Sequence, residues 1–166
     1  MRNSKKFFIL ILVVAIIAMS AGYAALSQTL TINGTAKIDS SWDIKFTNIT
    51  EGTPVGGATN ITAPTYTSTT ATFDVSLISP GDSMTYEITV ANEGSLDAVL
   101  DTIAVTESEN AAIVYEITGV EEGDELAADT TATVTVKVSY DASIETQPDT
   151  LSKTLTVELN YVQKTA

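Results

Sequence analysis

Ala132-Thr-Val-Thr-Val-Lys-Val-Ser-Tyr140 puts Ala132, Val134, Val136, Val138 and Tyr140 on one side of an extended chain, with Thr133, Thr135, Lys137 and Ser139 opposite. Side chains alternate across a strand, so this period of two marks a strand with one buried face and one wet face. Upstream, Met84, Tyr86, Ile88 and Val90 repeat the pattern after Ser79-Pro-Gly-Asp82, whose Pro and Gly suit a tight reversal, and before Asn92-Glu-Gly94. Pro80–Val90 and Ala128–Val138 echo each other, each a polar turn leading into a Thr-rich strand; shared composition explains this as well as an internal repeat does.

The same reading extends in both directions. Phe73, Val75 and Leu77 alternate before the Ser79 turn, and Ile113, Tyr115 and Ile117 alternate beyond Asp97–Thr106, which is apolar on both faces like a central strand. Glu121–Glu125 is an acidic turn. Leu151, Leu155, Val157, Leu159 and Tyr161 make a last strand with Lys153 at its edge, and Trp42, Ile44 and Phe46 an early one. Glu51–Thr70 is rich in Gly, Pro, Thr and Asn and reads as a long connection with one edge strand near Thr65-Tyr-Thr67. About eight or nine short strands with regular turn signals give the pattern of an all-β protein with a single β-sandwich. Immunoglobulin-like and jelly-roll versions both remain open at this point.

Ahead of this domain, Arg2, Lys5 and Lys6 precede the apolar run Phe7–Met19, and small residues follow. That order is that of an export signal, with Ala18-Met-Ser20 and Gly22-Tyr-Ala24 as small-residue registers for cleavage, the second between Ala24 and Ala25. The run is shorter than the ~20 residues that span a bilayer comfortably, which favours cleavage over a retained anchor helix. A prepilin-type leader fits less well, because no Gly precedes Phe7 and no acid opens the apolar run. The expected division is a signal peptide or membrane anchor over residues 1–24 and a β-sandwich domain over 25–166.

Composition narrows the function. The chain of 166 residues carries a net charge of −13, with no His and no Cys. From Ala25 onward it holds 5 Lys against 21 Asp and Glu, a net −16. Such a surface is a poor match for nucleic acid or an anionic lipid face, so membrane contact is expected only through the leader. Without His or Cys the chain lacks the commonest general base near neutral pH, the commonest transition-metal ligands, and every disulfide. An enzyme is not expected; a secreted hydrolase built on carboxylates is the weakest of the alternatives.

Three segments together resemble the TasA/camelysin group of exported Gram-positive proteins: the leader ending Gly22-Tyr-Ala-Ala25, the phrase Ser79-Pro-Gly-Asp-Ser-Met-Thr-Tyr-Glu-Ile-Thr-Val-Ala-Asn-Glu-Gly94, and the closing Leu155-Thr-Val-Glu-Leu-Asn-Tyr-Val-Gln163. The resemblance implies a secreted, jelly-roll-like subunit of biofilm-matrix fibres that polymerises by donor-strand complementation with itself or other matrix proteins. It departs from the group at the cut, where Ala24-Ala-Leu-Ser27 replaces the usual Tyr-Phe-Ser/Thr-Asp. A metalloprotease activity does not carry over, since no His-Glu-x-x-His helix can exist in a chain without His.

Candidate sites follow. Ala25–Ile38 is uncharged but for Lys37 and alternates, with Leu26, Leu30, Ile32, Ala36 and Ile38 as its assembly residues. It reads either as a donor strand for the sheet edge of a neighbouring subunit or as the first strand of its own sandwich. Glu121, Glu122, Asp124 and Glu125, with Glu107, Glu109 and Asp129 nearby, are candidate Ca²⁺ ligands. Their spacing is not that of an EF-hand, and a solvated acidic loop is the simpler reading; no other cofactor is expected. Asn33-Gly-Thr, Asn48-Ile-Thr and Asn60-Ile-Thr are formal glycosylation sequons. Lys153 is the one candidate for a Lys–Asn isopeptide bond, against simple snorkelling at a strand end. Trp42 and the tyrosines could stack on carbohydrate, although single aromatics on alternating strands more often pair across a sheet. The expected function is a non-enzymatic subunit of an extracellular fibre, biofilm matrix or pilus-like filament; the alternative is a membrane-anchored, non-polymerising surface binding or adhesion module.

Overall fold

A computed structural model describes residues 2–26 and 30–165, with side chains over 4–19 and 30–165. The chain forms two compact units, Met1–Ile38 and Asp39–Ala166. In the first, α1 spans Arg2–Leu26, and its apolar residues from Phe7 to Met19 are exposed. Among the described residues no helix is long and apolar enough to cross a membrane. Residues 30–38 enter no strand.

The second unit is built of β-strands: β1 (Ile44–Glu51), β2 (Thr59–Tyr66), β3 (Ala71–Ser76), β4 (Ser83–Asn92), β5 (Ala98–Glu107), β6 (Ile113–Thr118), β7 (Glu125–Leu126), β8 (Thr130–Tyr140) and β9 (Leu155–Gln163). They make a four-stranded sheet in the order β1-β4-β8-β6, a hairpin β2-β3, and a three-stranded sheet β7-β5-β9. Every pairing is antiparallel. The mostly β architecture agrees with the expectation from alternation. The two segments that echo each other lie side by side, β4 against β8 from Ser83↔Ser139 to Asn92↔Thr130.

Alternation decides which faces are buried. Met84, Tyr86, Ile88 and Val90 from β4, and Val134, Val136 and Val138 from β8, are each less than a tenth exposed, and Ala98 and Leu100 of β5 face them in the same core. Phe73 of β3 stacks on Tyr86 with ring centroids 4.2 Å apart, so the hairpin packs over the four-stranded sheet. Asn92, 1% exposed, is a polar residue deep in this core. Its amide donates to the carbonyls of Leu96 and Leu126 at 2.8 and 3.0 Å and its oxygen accepts from Gly94 N–H, which removes the cost of burying an unpaired amide.

The turns follow their sequences. Asp82 N–H donates to Ser79 C=O at 3.0 Å, with Pro80 and Gly81 between, and Gly81 has φ +94°, the geometry of a type II turn. The Asp82 carboxylate then accepts three backbone N–H groups, from Gly57, Ile78 and Ser79 at 2.8–2.9 Å, and fixes the β1–β2 loop against this turn. Those N–H groups hold its carboxyl below the ordinary carboxylate range, Gly57 contributing most.

Some boundaries differ from the expectation. Trp42 lies outside β1, which starts at Ile44, and is 45% exposed. Leu151 precedes β9 and is 68% exposed. The Glu51–Thr70 connection holds a full strand, β2, with Pro64 inside it; a Pro is tolerated there because β2 is an edge strand with a single partner. β5 is central only at its start, where β7 pairs with Ala98 and Val99; Val105 is 47% exposed.

Candidate functional site

Edge strands determine the site. β3 pairs only with β2, and β9 pairs only with β5, so among the described residues each has one side of its backbone without a strand partner. Between them lies a groove of about 1200 Å³ that opens onto the core. Its floor is the inner face of the four-stranded sheet: Ile88 of β4, Val134, Val136 and Val138 of β8, and Ile113 and Tyr115 of β6. Its walls are Phe73 and Val75 of β3 and Leu155, Val157 and Leu159 of β9.

The inward residues beside the groove are only half buried. Leu155, Val157, Leu159 and Tyr161 on β9, like Ile113, Tyr115 and Ile117 on β6, are intermediate in exposure, whereas the matching positions on β4 and most of those on β8 are buried. Apolar faces left partly uncovered next to an open edge make a template on which another strand can pair, and a closed sandwich would cover them.

A polar clasp ties the approach to β9 onto β6. Lys153 Nζ pairs with Glu107 at 2.6 Å, donates to the Ile113 carbonyl at 3.0 Å, and lies 5.5 Å from the centre of the Tyr115 ring. Tyr115 OH donates to the Lys153 carbonyl at 2.9 Å, and the Asn110 amide donates to Thr150 C=O at 2.8 Å. Burial, with Glu107 and Asp74 adding to it, pushes the Tyr115 phenol up, and burial pushes Tyr86 up to about 12. The Lys153 ammonium is thus a structural clasp, engaged by a carboxylate, a backbone carbonyl and an aromatic ring.

The assembly segment is placed as follows. Leu26 ends α1, and Ala24 and Ala25 lie within that helix. Ser27 to Thr29 lie outside the described residues. Leu30, Ile32 and Ile38 are 85%, 95% and 90% exposed, and Ala36 is exposed too. Residues 30–38 carry no strand, and the first strand of the second unit is β1.

The acidic residues are dispersed. Glu122 accepts from the Ile103 N–H at 2.9 Å, Asp124 from the Glu121 N–H at 2.7 Å, Glu125 pairs with Lys164 at 2.7 Å, and Glu107 is taken by Lys153. Among the described residues no group of three or more acids comes close enough to hold a metal ion. The Ca²⁺ reading of Glu121, Glu122, Asp124 and Glu125 thus lacks an assembled ligand set, because the turn around Gly123 sends the carboxylates toward different partners. Of the sequons, Asn33 and Asn48 are exposed, while Asn60 binds the Tyr86 hydroxyl and Glu51. Tyr86 is fully buried, so it serves the core and not a carbohydrate face.

Sequence reasoning located both walls of the groove as strands, but not the gap. Periodicity tells which face of a strand is apolar and says nothing about which edge lacks a neighbour. No family model, curated protein or solved structure matches the chain.

Proposed function

We propose that this chain is a non-enzymatic structural subunit of an extracellular fibre or pilus-like filament, joined copy to copy when the Ala25–Ile38 segment of one subunit lends a strand to the next. The observation that carries this reading is the groove between β3 and β9, open to the core, in a chain whose Leu30–Ile38 stretch is exposed and alternates. Main-chain hydrogen bonds to an open edge supply affinity, and pockets for alternate side chains supply selectivity.

The strand order supports a sandwich of the immunoglobulin kind over a jelly roll. With the β2-β3 hairpin and the two-residue β7 set aside, β1, β4, β8 and β6 stand in the order A-B-E-D, and β5 and β9 in the order C-F. Strand G of that pattern would lie beside β9, which is where the groove is. A lent strand there closes the second sheet. The contact is heterologous, groove on one copy and segment on the other, so repetition gives an open filament and not a closed dimer.

The leader supports a location at the cell exterior. Arg2, Lys5 and Lys6 in the first turns of α1, followed by exposed apolar Phe7–Met19, fit export to the cell surface, the helix being a cleaved signal or an anchor. The exposed apolar residues of α1 support a second reading, a binding module held at the membrane surface without polymerising, although among the described residues no helix is long and apolar enough to cross a membrane. Electron microscopy of the exported chain separates the two. Filaments that vanish on deletion of residues 27–38 support the first reading; a monomer held in the membrane fraction by an uncut helix supports the second.

A further inference from the structure

The lent-strand reading leaves the register of that strand undetermined, and the residues around the groove supply an answer. In the segment, Leu30, Ile32, Ala36 and Ile38 share the face that would turn inward, with Thr31, Asn33, Thr35 and Lys37 on the outward face. A slip of one residue would expose the whole apolar set, so the hydrophobic pattern forbids it. A slip of two keeps the faces and moves each side chain by roughly 7 Å. Apolar burial alone therefore discriminates weakly among even registers.

The outward faces carry the missing information. Lys37 is the only charged residue between Ala25 and Ile38, and all the acidic residues of the chain follow it. On β9 the outward residues are Thr156, Glu158 and Asn160, all exposed, so one carboxylate stands midway along the open edge between two neutral positions. Asn160 is already bonded to Asp101 at 3.3 Å on the neighbouring β5. On the facing wall β3 carries a single outward carboxylate, Asp74. An inserted strand that places Lys37 opposite Glu158 gains an opposite-charge cross-strand pair, and a slip of two places the lysine opposite Thr156 or Asn160.

Resting on the lent-strand reading, we propose that Lys37 of one copy pairs with Glu158 of the next and that this pair selects the register in which the strand fills the groove. The occupant is a second copy of this chain. The segment is neutral but for one cation, and the groove edge that receives it is acidic and apolar. Lys37 is in this sense a specificity residue of the assembly, and Leu30, Ile32 and Ile38 supply its affinity.

The test uses the mature full-length chain and three variants, Lys37→Glu, Glu158→Lys and both together, with the critical concentration for assembly measured by sedimentation at low salt. Each single change replaces attraction by repulsion and is expected to raise the critical concentration roughly tenfold, while the double change returns it to within about twofold of wild type. The single-variant effect shrinks in 0.5 M salt, where exposed charges are screened beyond roughly 4 Å. Glu87→Lys, on the exposed face of β4 and outside the groove lining, serves as the control and leaves assembly within about threefold of wild type. Singles that assemble as wild type, or a double no better than either single, overturn the register pair while leaving the lent strand intact. A wild-type chain that never self-associates at any concentration overturns both.

Discussion

Ile32→Ala probes the lent strand where its effect is easiest to isolate. Ile32 is 95% exposed in the free chain, so truncating it removes almost no packing from the monomer. In the filament the same side chain would be covered by the groove. The change deletes three carbons, which at about 0.8 kcal/mol each makes about 2.4 kcal/mol of burial per contact, or roughly fiftyfold in association. Sedimentation velocity over a concentration series reads the assembly, and thermal unfolding of the dilute chain reads the monomer. The expected result is a critical concentration raised roughly fiftyfold with an unchanged melting temperature. Ile32→Asp should go further and abolish assembly, since an unpaired carboxylate would have to enter an apolar groove. Assembly of Ile32→Ala indistinguishable from wild type would refute the reasoning; so would a lowered monomer melting temperature, which would show that Ile32 packs within its own chain.

Three predictions concern the domain itself. Leu100→Ala empties a position that is 0% exposed and should cost about 2–5 kcal/mol, read from urea unfolding. Gly119 has φ +93°, and a Cβ there would lie 2.3 Å from the Thr133 carbonyl oxygen; Gly119→Ala should therefore destabilise by at least about 1–3 kcal/mol, and a smaller effect would show that the β6–β7 turn relaxes freely. Asp82 has a folded-state pKa below its ordinary 3.8 because Gly57, Ser79 and Ile78 N–H groups bond its charged form. Its contribution is present above pH 3.8 and is lost as pH falls through the lower folded value, so Asp82→Asn should flatten the acid side of the stability curve below about pH 4.

Much of the sheet core was legible because β4, β6, β8 and β9 each carry an unbroken apolar face, and a period of two has one reading when one face is buried. The Ser79-Pro-Gly-Asp82 turn was legible for the same local reason, since Pro and Gly fix its backbone. β2 was obscured by Asn60, Thr62 and Pro64, which match a connection as well as they match an edge strand. Trp42 continues the alternation of Ile44 and Phe46 in sequence, but the β1–β4 ladder begins at Ile44↔Asn92, and the flanking Asp43 and Ser41 carbonyls accept from Glu93 and Ser95 N–H groups past the end of β4. The assembly segment shows the limit most clearly. Its alternation is as regular as that of many strands, yet residues 30–38 form none, because a strand needs a ladder partner that the pattern alone does not supply. The groove was illegible for the complementary reason: it is made by an absent neighbour, and no residue encodes that by type.

The most direct measurement exploits the absence of cysteine. Lys37→Cys in one preparation is mixed with Thr156→Cys, Glu158→Cys or Asn160→Cys in a second, and assembly proceeds under mild oxidation. The lent strand predicts disulfide-linked dimers joining the two preparations at one or more of these positions. If none of the three positions on β9 cross-links while both chains still assemble, the segment does not lie beside β9 and the central claim is wrong.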